Sequence, residues 1–290
     1  MSILNDLFTG TIGLAFASLI GLMVGSFLNV VIYRLPVMMD RQEKQLAWEI
    51  LHGEGQKNPS LPDEKFNLLF PNSHCPNCKH HIRAWENVPV ISYLLQKGKC
   101  RGCGQKISPR YMSVEILTAV ASGVAACCFD TGIQVIFALL FTWTLIALIF
   151  IDAENFILPD VLTLPLMWIG IFCAVLQGFS GLFVSLPESV LGAMVGYVSL
   201  WLVYWIFKII TKKEGMGFGD FKLLAALCAW QGAVMLPIIL FFASISGIIY
   251  ALISRVGFGK PIPFGPYLAV AGWLSFLFGR HLLVLFGFDN

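Results

Sequence analysis

The sequence predicts an all-α polytopic membrane protein of about eight transmembrane helices with a small zinc-stapled cytoplasmic domain. Three observations carry that reading. Of 290 residues, 57% are apolar and only 12% charged, where ordinary soluble domains carry about 25% charge, and the mean hydropathy is +0.78. The apolar residues gather into long stretches, while most of the positive charge gathers into one segment. Two Cys-x2-Cys pairs lie inside that segment. A soluble protein of this size needs a charged surface that the composition does not supply. A disordered chain is excluded on the same ground. With a formal net charge of only +2, a nucleic-acid binder working through bulk charge is excluded too, and no nucleic-acid partner is expected.

A helix crosses a bilayer with about 20 mostly apolar residues. Thr11–Tyr33 meets that, with Asn29 its most polar member. No basic region precedes it and no clear small-residue cleavage site follows, so 11–33 reads as a retained first span rather than a signal peptide. Residues 34–112 form the soluble piece, rich in charge and in turn residues such as Pro59, Pro62, Pro71, Pro76, Pro89, Gly98, Gly102 and Gly104. Within it Gln42–Leu51 reads as a short helix and Gly53–Lys65 as a loop. Residues 113–287 hold seven further stretches: Ser113–Phe129, Ile133–Ile151, Val161–Gln177, Val190–Ile210, Leu223–Leu236, Ile238–Ile253 and Pro266–Phe286. The sixth and seventh of the eight are short and divided by Pro237. They read as two spans, one bent pair or a re-entrant element.

Lys and Arg mark cytoplasmic loops. Twelve of the 19 lie between Arg34 and Arg110. In an eight-span arrangement Lys208, Lys212, Lys213, Lys222, Arg255 and Lys260 fall on that same side, and only Arg280 falls on the other. Residues 34–112 are therefore expected in the cytoplasm, and both termini on the outer side.

The pairs Cys75-Pro76-Asn77-Cys78 and Cys100-Arg101-Gly102-Cys103 are separated by 21 residues. Each presents two thiolates from a tight turn, and two such turns make a tetrahedral zinc site. A reducing cytoplasm favours metal binding over disulfides, and a domain this small benefits from a staple. His74, His80 and His81 crowd the first knuckle but stay outside a shell that sulfur already fills. A closed four-sulfur site leaves no open position for water, so the ion is structural. The absence of H-E-x-x-H removes a zinc metalloprotease. Cys127, Cys128, Cys173 and Cys228 lack knuckle spacing and read as small packing residues.

Ionisable groups within spans are costly and mark function. Asp152 ends the third span, and Asp220 opens the sixth in Gly217-Phe218-Gly219-Asp220. The eight-span arrangement puts both at cytoplasmic helix ends. Two carboxyls that meet share one proton, so that one acts as base toward a water and the other as acid toward a scissile carbonyl. Structural alternatives stand beside this. Asp152 could cap the helix after Pro159, Asp220 could cap its own helix, and Lys222 could pair with Asp220. Glu154 and Asp160 are rival members of any pair, Asp160 being well placed as an N-cap. Glu115 faces a polar cavity or pairs with Arg110. A non-enzymatic membrane receptor or transporter with a zinc-stapled cytoplasmic adaptor also fits, Asp152 and Asp220 then relaying protons. Their interfacial rather than midplane depth counts against it.

In order along the chain stand Gly25-Ser26-Phe27-Leu28-Asn29-Val30-Val31-Ile32-Tyr33-Arg34-Leu35-Pro36, the first knuckle, Trp85-Glu86-Asn87-Val88-Pro89 and the second knuckle. Pro109-Arg110-Tyr111 with Glu115, Ile151-Asp152, Leu158-Pro159-Asp160, Gly217-Phe218-Gly219-Asp220-Phe221-Lys222 and Pro261-Ile262-Pro263-Phe264-Gly265-Pro266-Tyr267 follow. This set resembles the type IV prepilin peptidase family (leader peptidase/N-methyltransferase), and the G-x-G-D element is similar to that of intramembrane aspartyl proteases. The resemblance spans nearly the whole chain, with no departure at a motif position. It implies a multi-pass protein of the bacterial cytoplasmic (inner) membrane, serving type IV pili or type II secretion. Its substrates would be prepilins and pseudopilins, whose basic leader is removed after a glycine on the cytoplasmic side. The new N-terminal residue, usually Phe, would then be methylated with S-adenosylmethionine. The family's catalytic aspartates fall on Asp152 and Asp220, and its zinc cysteines on Cys75, Cys78, Cys100 and Cys103. No G-x-G-x-x-G fingerprint is present for the methyl donor. Its site is expected near Trp85–Lys99, with Glu86 and Gly98 as candidates. Lys260–Tyr267 reads as one wall of a substrate groove or as an ordinary loop.

Overall fold

A computed structural model describes residues 10–62, 65–180, 183–254, 262–285 and 287. In chain order its helices are α1 (Gly10–His52), α2 (Ile91–Leu95), α3 (Pro109–Cys128), α4 (Gly132–Asn155), α5 (Asp160–Ser180), α6 (Leu186–Thr211), α7 (Phe218–Gln231), α8 (Leu236–Ile253) and α9 (Gly265–Leu285), with 3-10 turns at Ala84–Asn87 and Ala233–Met235. Two isolated β-bridges are the extended pairing among the described residues. The all-α membrane reading holds. Among the described residues α1, α3, α4, α6 and the Ala233–Ile253 stretch are long and apolar enough to cross a membrane, while Asp160–Leu176 and Gly265–Gly279 are shorter apolar helices. The chain divides into two compact units, Met1–Cys127 and Cys128–Asn290.

In the first unit α1 does not stop at Tyr33. It continues through Pro36 to His52, so Gln42–Leu51 is its last part rather than a separate helix. Its 43 residues cover about 65 Å at 1.5 Å per residue, about twice a hydrocarbon core of ~30 Å. Polar pairs one turn apart line the far end, Lys44 with Asp40 at 2.6 Å and Gln45 with Glu49 at 2.7 Å. Arg34 is buried, and its guanidinium donates to the carbonyls of Asn67 at 2.9 Å and Pro71 at 2.6 Å. It thereby pins the loop ahead of the first knuckle to α1.

Small residues make the seam between α1 and α3. A Cβ on Gly25 would lie 2.8 Å from Glu115 Cα, one on Gly21 would run into Ser122, and one on Gly123 would sit 2.5 Å from Ser18 Oγ. Gly21 and Gly25 are four residues apart and share a helix face. Such small-xxx-small spacing lets membrane helices approach closely.

In the second unit α7 is the central element. From Leu223 to Trp230 every residue is buried, as a helix apolar on all sides must be. Its 14 residues reach about 21 Å, short of a full crossing. The sixth apolar stretch is therefore a short core helix beginning at Phe218, earlier than the hydropathy suggested. Gly232, at φ 79°, turns the chain through the Ala233–Met235 turn into α8. The backbone of α6 lies directly on α7. Gly192 meets the Cys228 carbonyl, a Cβ on Gly196 would be 2.9 Å from the Leu224 carbonyl, and Ser189 Oγ donates to the Ala229 carbonyl at 2.6 Å. Trp230 Nε1 donates to Leu166 of α5 at 2.8 Å, and Gln231 Nε2 to Gly272 of α9 at 3.0 Å. These buried polar contacts fix the depth and rotation of α7, which positions its first turn.

Candidate active site and metal centre

Asp152 lies in the last turn of α4, and Asp220 in the first turn of α7. Both belong to the second unit, and they are 5% and 7% exposed. Helix α4 ends because Phe156 takes a left-handed conformation (φ 58°, ψ 35°) with its N–H on the Asp152 carbonyl. Only Ile157, Leu158 and Pro159 then separate that cap from α5. This short link carries Leu158 back over the site. A Cβ on Gly219 would lie 2.8 Å from Leu158 Cβ, and one on Gly265 would lie 3.1 Å from Leu158 Cδ1. Leu158 is thus wedged against the starts of both α7 and α9. The Gly265 N–H, at the start of α9, donates to the Asp152 carboxylate, where the helix dipole also favours an anion. Asp220 lies within electrostatic reach of Asp152. Two buried carboxyls in Coulombic contact cannot both ionise easily, so the arrangement suits proton sharing and acid–base work.

The rival readings of these residues resolve into separate jobs. Lys222 Nζ reaches both carboxylate oxygens of Asp160 at 2.7 Å, not Asp220, and so ties the start of α5 to α7. Asp160 is the first residue of its helix and works as that ion pair. The N-cap of α7 is Gly217, and its N–H meets the Asp220 carboxylate, so Asp220 also caps its own helix. Glu154 is exposed. Reading the sequence placed Gly265 and Leu158 inside family motifs but gave neither a role at the aspartates. The only local signal was a glycine–proline pair opening an apolar run, which marks a helix start. Of the proline-rich segment, Lys260 and Pro261 lie outside the described residues, as does Arg255 of the charge pattern.

Gly265 gives a direct test of this geometry. A methyl group there would sit 2.5 Å from Asp152 Oδ2, so Gly265→Ala must displace the carboxyl. A misplacement of ~1 Å costs about a hundredfold in a positioned reaction. Cleavage by Gly265→Ala should fall by about that factor with the protein still folded, measured as initial rates on a peptide substrate.

The four knuckle cysteines converge, all four sulfurs lying within 4.8 Å of one another. Cys75 and Cys103 are 3.9 Å apart, as are Cys78 and Cys100. Zinc–sulfur bonds of about 2.3 Å place tetrahedral sulfurs about 3.8 Å apart, so the cluster fits that ion. The two knuckles repeat one design. In each the first cysteine N–H bonds the carbonyl five residues on (His80, 2.9 Å; Gln105, 2.8 Å), and its carbonyl accepts the N–H four residues on (Lys79, 3.0 Å; Gly104, 2.9 Å). Those fourth residues both have positive φ, 59° at Lys79 and 72° at Gly104. The bridges His74–His81 and Lys99–Lys106 close the two turns. Backbone N–H groups of Cys78 and Asn77 pull the Cys75 thiol down to about 6, while at Cys78 the His80 N–H is outweighed by burial and the neighbouring sulfurs, which push that thiol up to about 11, as in a set of thiols that a metal must deprotonate on binding.

Glu86 sits between the knuckles. It accepts the Arg83 N–H at 3.1 Å and lies 3.3 Å from His80 and 3.4 Å from Arg101. The Arg83 N–H, then His80, hold its carboxyl below the usual range. Gly98 has φ 64°, and a Cβ there would lie 2.9 Å from the Tyr93 hydroxyl. Glu86 thereby joins the two knuckles, and Gly98 turns the chain from α2 into the second knuckle. Cys173 and Cys228 are buried packing residues. Glu115 accepts the Val90 N–H at 2.8 Å and the Ser26 hydroxyl.

Comparison with known proteins bears on this site. Residues 19–129 match the model of the bacterial peptidase A24 N-terminal domain, and residues 139–252 match that of the type IV leader peptidase family. A Dichelobacter nodosus protein named prepilin leader peptidase/N-methyltransferase is 59% identical, over 99% of this chain and 99% of its own. Proteins of the same name from Aeromonas salmonicida and Neisseria gonorrhoeae are 50% and 47% identical, over 91% and 90% of this chain and 90% and 88% of theirs. No solved structure matches the chain.

Proposed function

The chain belongs to the type IV leader peptidase family, and on that premise we propose that it removes the basic leader of prepilins and pseudopilins and then N-methylates the new N-terminus. The observation that carries the first activity is the pair Asp152 and Asp220, buried and electrostatically coupled at two helix ends. Cleavage takes place after a glycine, on the cytoplasmic side of the inner membrane. The proposed sidedness, with residues 34–112 in the cytoplasm, rests on the distribution of Lys and Arg.

In the proposed mechanism the pair shares one proton. The ionised member takes a proton from a water, which attacks the scissile carbonyl, and the protonated member gives its proton to the carbonyl oxygen. The Gly265 N–H orients Asp152 throughout. Gly217 has open space beside it and leaves room for an extended substrate backbone near Asp220, while Gly219 is covered by Leu158. Cys75, Cys78, Cys100 and Cys103 would hold zinc, which serves structure and takes no part in the cleavage. The second activity rests on the relatives' N-methyltransferase name and implies S-adenosylmethionine, which supplies a methyl group on a sulfonium.

Mass spectrometry of a synthetic prepilin segment, incubated with the purified protein in detergent and S-adenosylmethionine, tests both activities. The expected product is cut after the glycine and gains one methylene on the new N-terminus. A cut product without the gain removes the methyltransferase reading. An intact segment beside a folded protein removes both and favours a receptor or transporter.

A further inference from the structure

A polar cluster on the α1–α3 seam takes no part in the aspartate pair or the knuckles. Glu115 is 8% exposed and Asn29 is 6% exposed. Glu115 accepts the Val90 N–H and the Ser26 hydroxyl. Asn29 donates through Nδ2 to the Tyr111 carbonyl at 3.0 Å, while its buried Oδ1 has no partner. Gly25, which faces Glu115, and Asn29 are one helical turn apart on α1, as are Tyr111 and Glu115 on α3. Helical side chains lean toward the N-terminus of their helix, so Glu115 leans back along the seam toward the Tyr111–Asn29 contact. Val90 is held at φ 59°, ψ −48°. That conformation is costly for a β-branched residue, and there its N–H meets the carboxylate.

In Asn29 and Glu115 the atom left wholly without a partner is an acceptor, Asn29 Oδ1. A carboxylate has about four lone-pair sites, of which the described donors use two. A buried acceptor left unpaired is costly, and the group that satisfies this set is a small N–H-rich cation. We infer that the cluster seats the α-amino group freed by leader removal, and that Glu115 takes its proton. The inference rests on the N-methyltransferase reading above. An N–H bond of the ammonium breaks, its electron pair stays on nitrogen, and the proton forms an O–H bond on Glu115. The nitrogen pair then bonds the methyl carbon of the sulfonium donor, whose C–S electron pair stays on sulfur. The product leaves as a secondary ammonium, and Glu115 releases its proton to water, which restores the carboxylate.

The test compares the unsubstituted protein with Glu115→Gln, using a prepilin segment for cleavage and a pre-cleaved peptide for methylation. Glutamine keeps the shape and an oxygen for Val90 and Ser26, so a purely structural role survives the change. Cleavage should stay within about twofold while methylation falls about a hundredfold or more, the range of general-base effects. Binding is read in the Asp152→Asn background with labelled pre-cleaved peptide. Glu115→Gln should weaken the free-amine peptide and leave its N-acetyl form unchanged. In the unsubstituted protein, a pre-cleaved peptide with a photoreactive first residue should crosslink within 26–29 or 111–115. Equal methylation by both proteins overturns this inference alone, as do crosslinks confined elsewhere. Cleavage without methylation by the unsubstituted protein overturns the methyltransferase reading itself.

Discussion

Replacing Asp152 or Asp220 by asparagine should reduce prepilin cleavage at least about a thousandfold, within the range expected when a positioned acid or base is removed. Asparagine keeps the volume of each side chain. At position 152 it keeps an oxygen for the Gly265 N–H. What it removes is the proton traffic between the two groups. Folding should not suffer, since the substitution takes a titratable group out of a buried, like-charged pair. Each variant is expected to melt at or above the parent's temperature, as at sites where function is kept at the expense of stability. Methylation of a pre-cleaved peptide should persist in both. Initial rates for the two reactions, measured beside thermal unfolding in detergent, check all three outcomes. Normal cleavage by either variant would remove that residue from the catalytic pair, and lost methylation with a lowered melting point would mark it as structural.

Much of this was legible in the sequence, and the misses share a cause. The apolar stretches announced the membrane helices because length and hydropathy are local properties. The knuckles were legible for the same reason, two cysteines within one turn being a local pattern. Asp152 and Asp220 stood out because charge is costly inside apolar segments. What stayed hidden was long-range. Lys222 sits beside Asp220 in sequence yet pairs with Asp160, 62 residues away. Gly265 and Leu158 carry no charge to mark them, and their role comes from the approach of two helix starts to one short link. Glu115 found a backbone partner in Val90, and main-chain donors leave no sequence signal. The run of α1 beyond Tyr33 was masked by Arg34 and Pro36, which read as a boundary. Arg34 is instead absorbed by carbonyls of the 67–71 loop. The shortness of α7 showed only as an ambiguity at Pro237, because a buried core helix and a membrane span are equally apolar.

Stripping the metal, or replacing Cys75 or Cys100 by serine, should unfold the knuckle segment while leaving the membrane helices inserted. Among the described residues between α1 and α3, Cys75 is the apolar side chain that reaches full burial, and α2 buries none of its five residues. So little buried apolar surface cannot offset the chain entropy of ordering the segment. The four sulfurs and the Glu86 bridge between the knuckles do what a core would do elsewhere, and structural zinc sites contribute folding energy outright. Protease should then cut within 65–108 in the stripped protein and spare that region in the metal-loaded one. Steady-state abundance of either serine variant should fall several-fold as the exposed segment is degraded. Cleavage activity per surviving molecule should fall less than methylation. The reason is architectural: Asp152, Asp220, Leu158 and Gly265 all lie within the second compact unit and hold one another there, whereas the knuckles and the Glu115 cluster belong to the first. Equal protease resistance with and without metal, or a zinc content below one ion per folded chain, would remove the staple from the account. An equal loss of the two activities would instead tie the aspartate site to the metal.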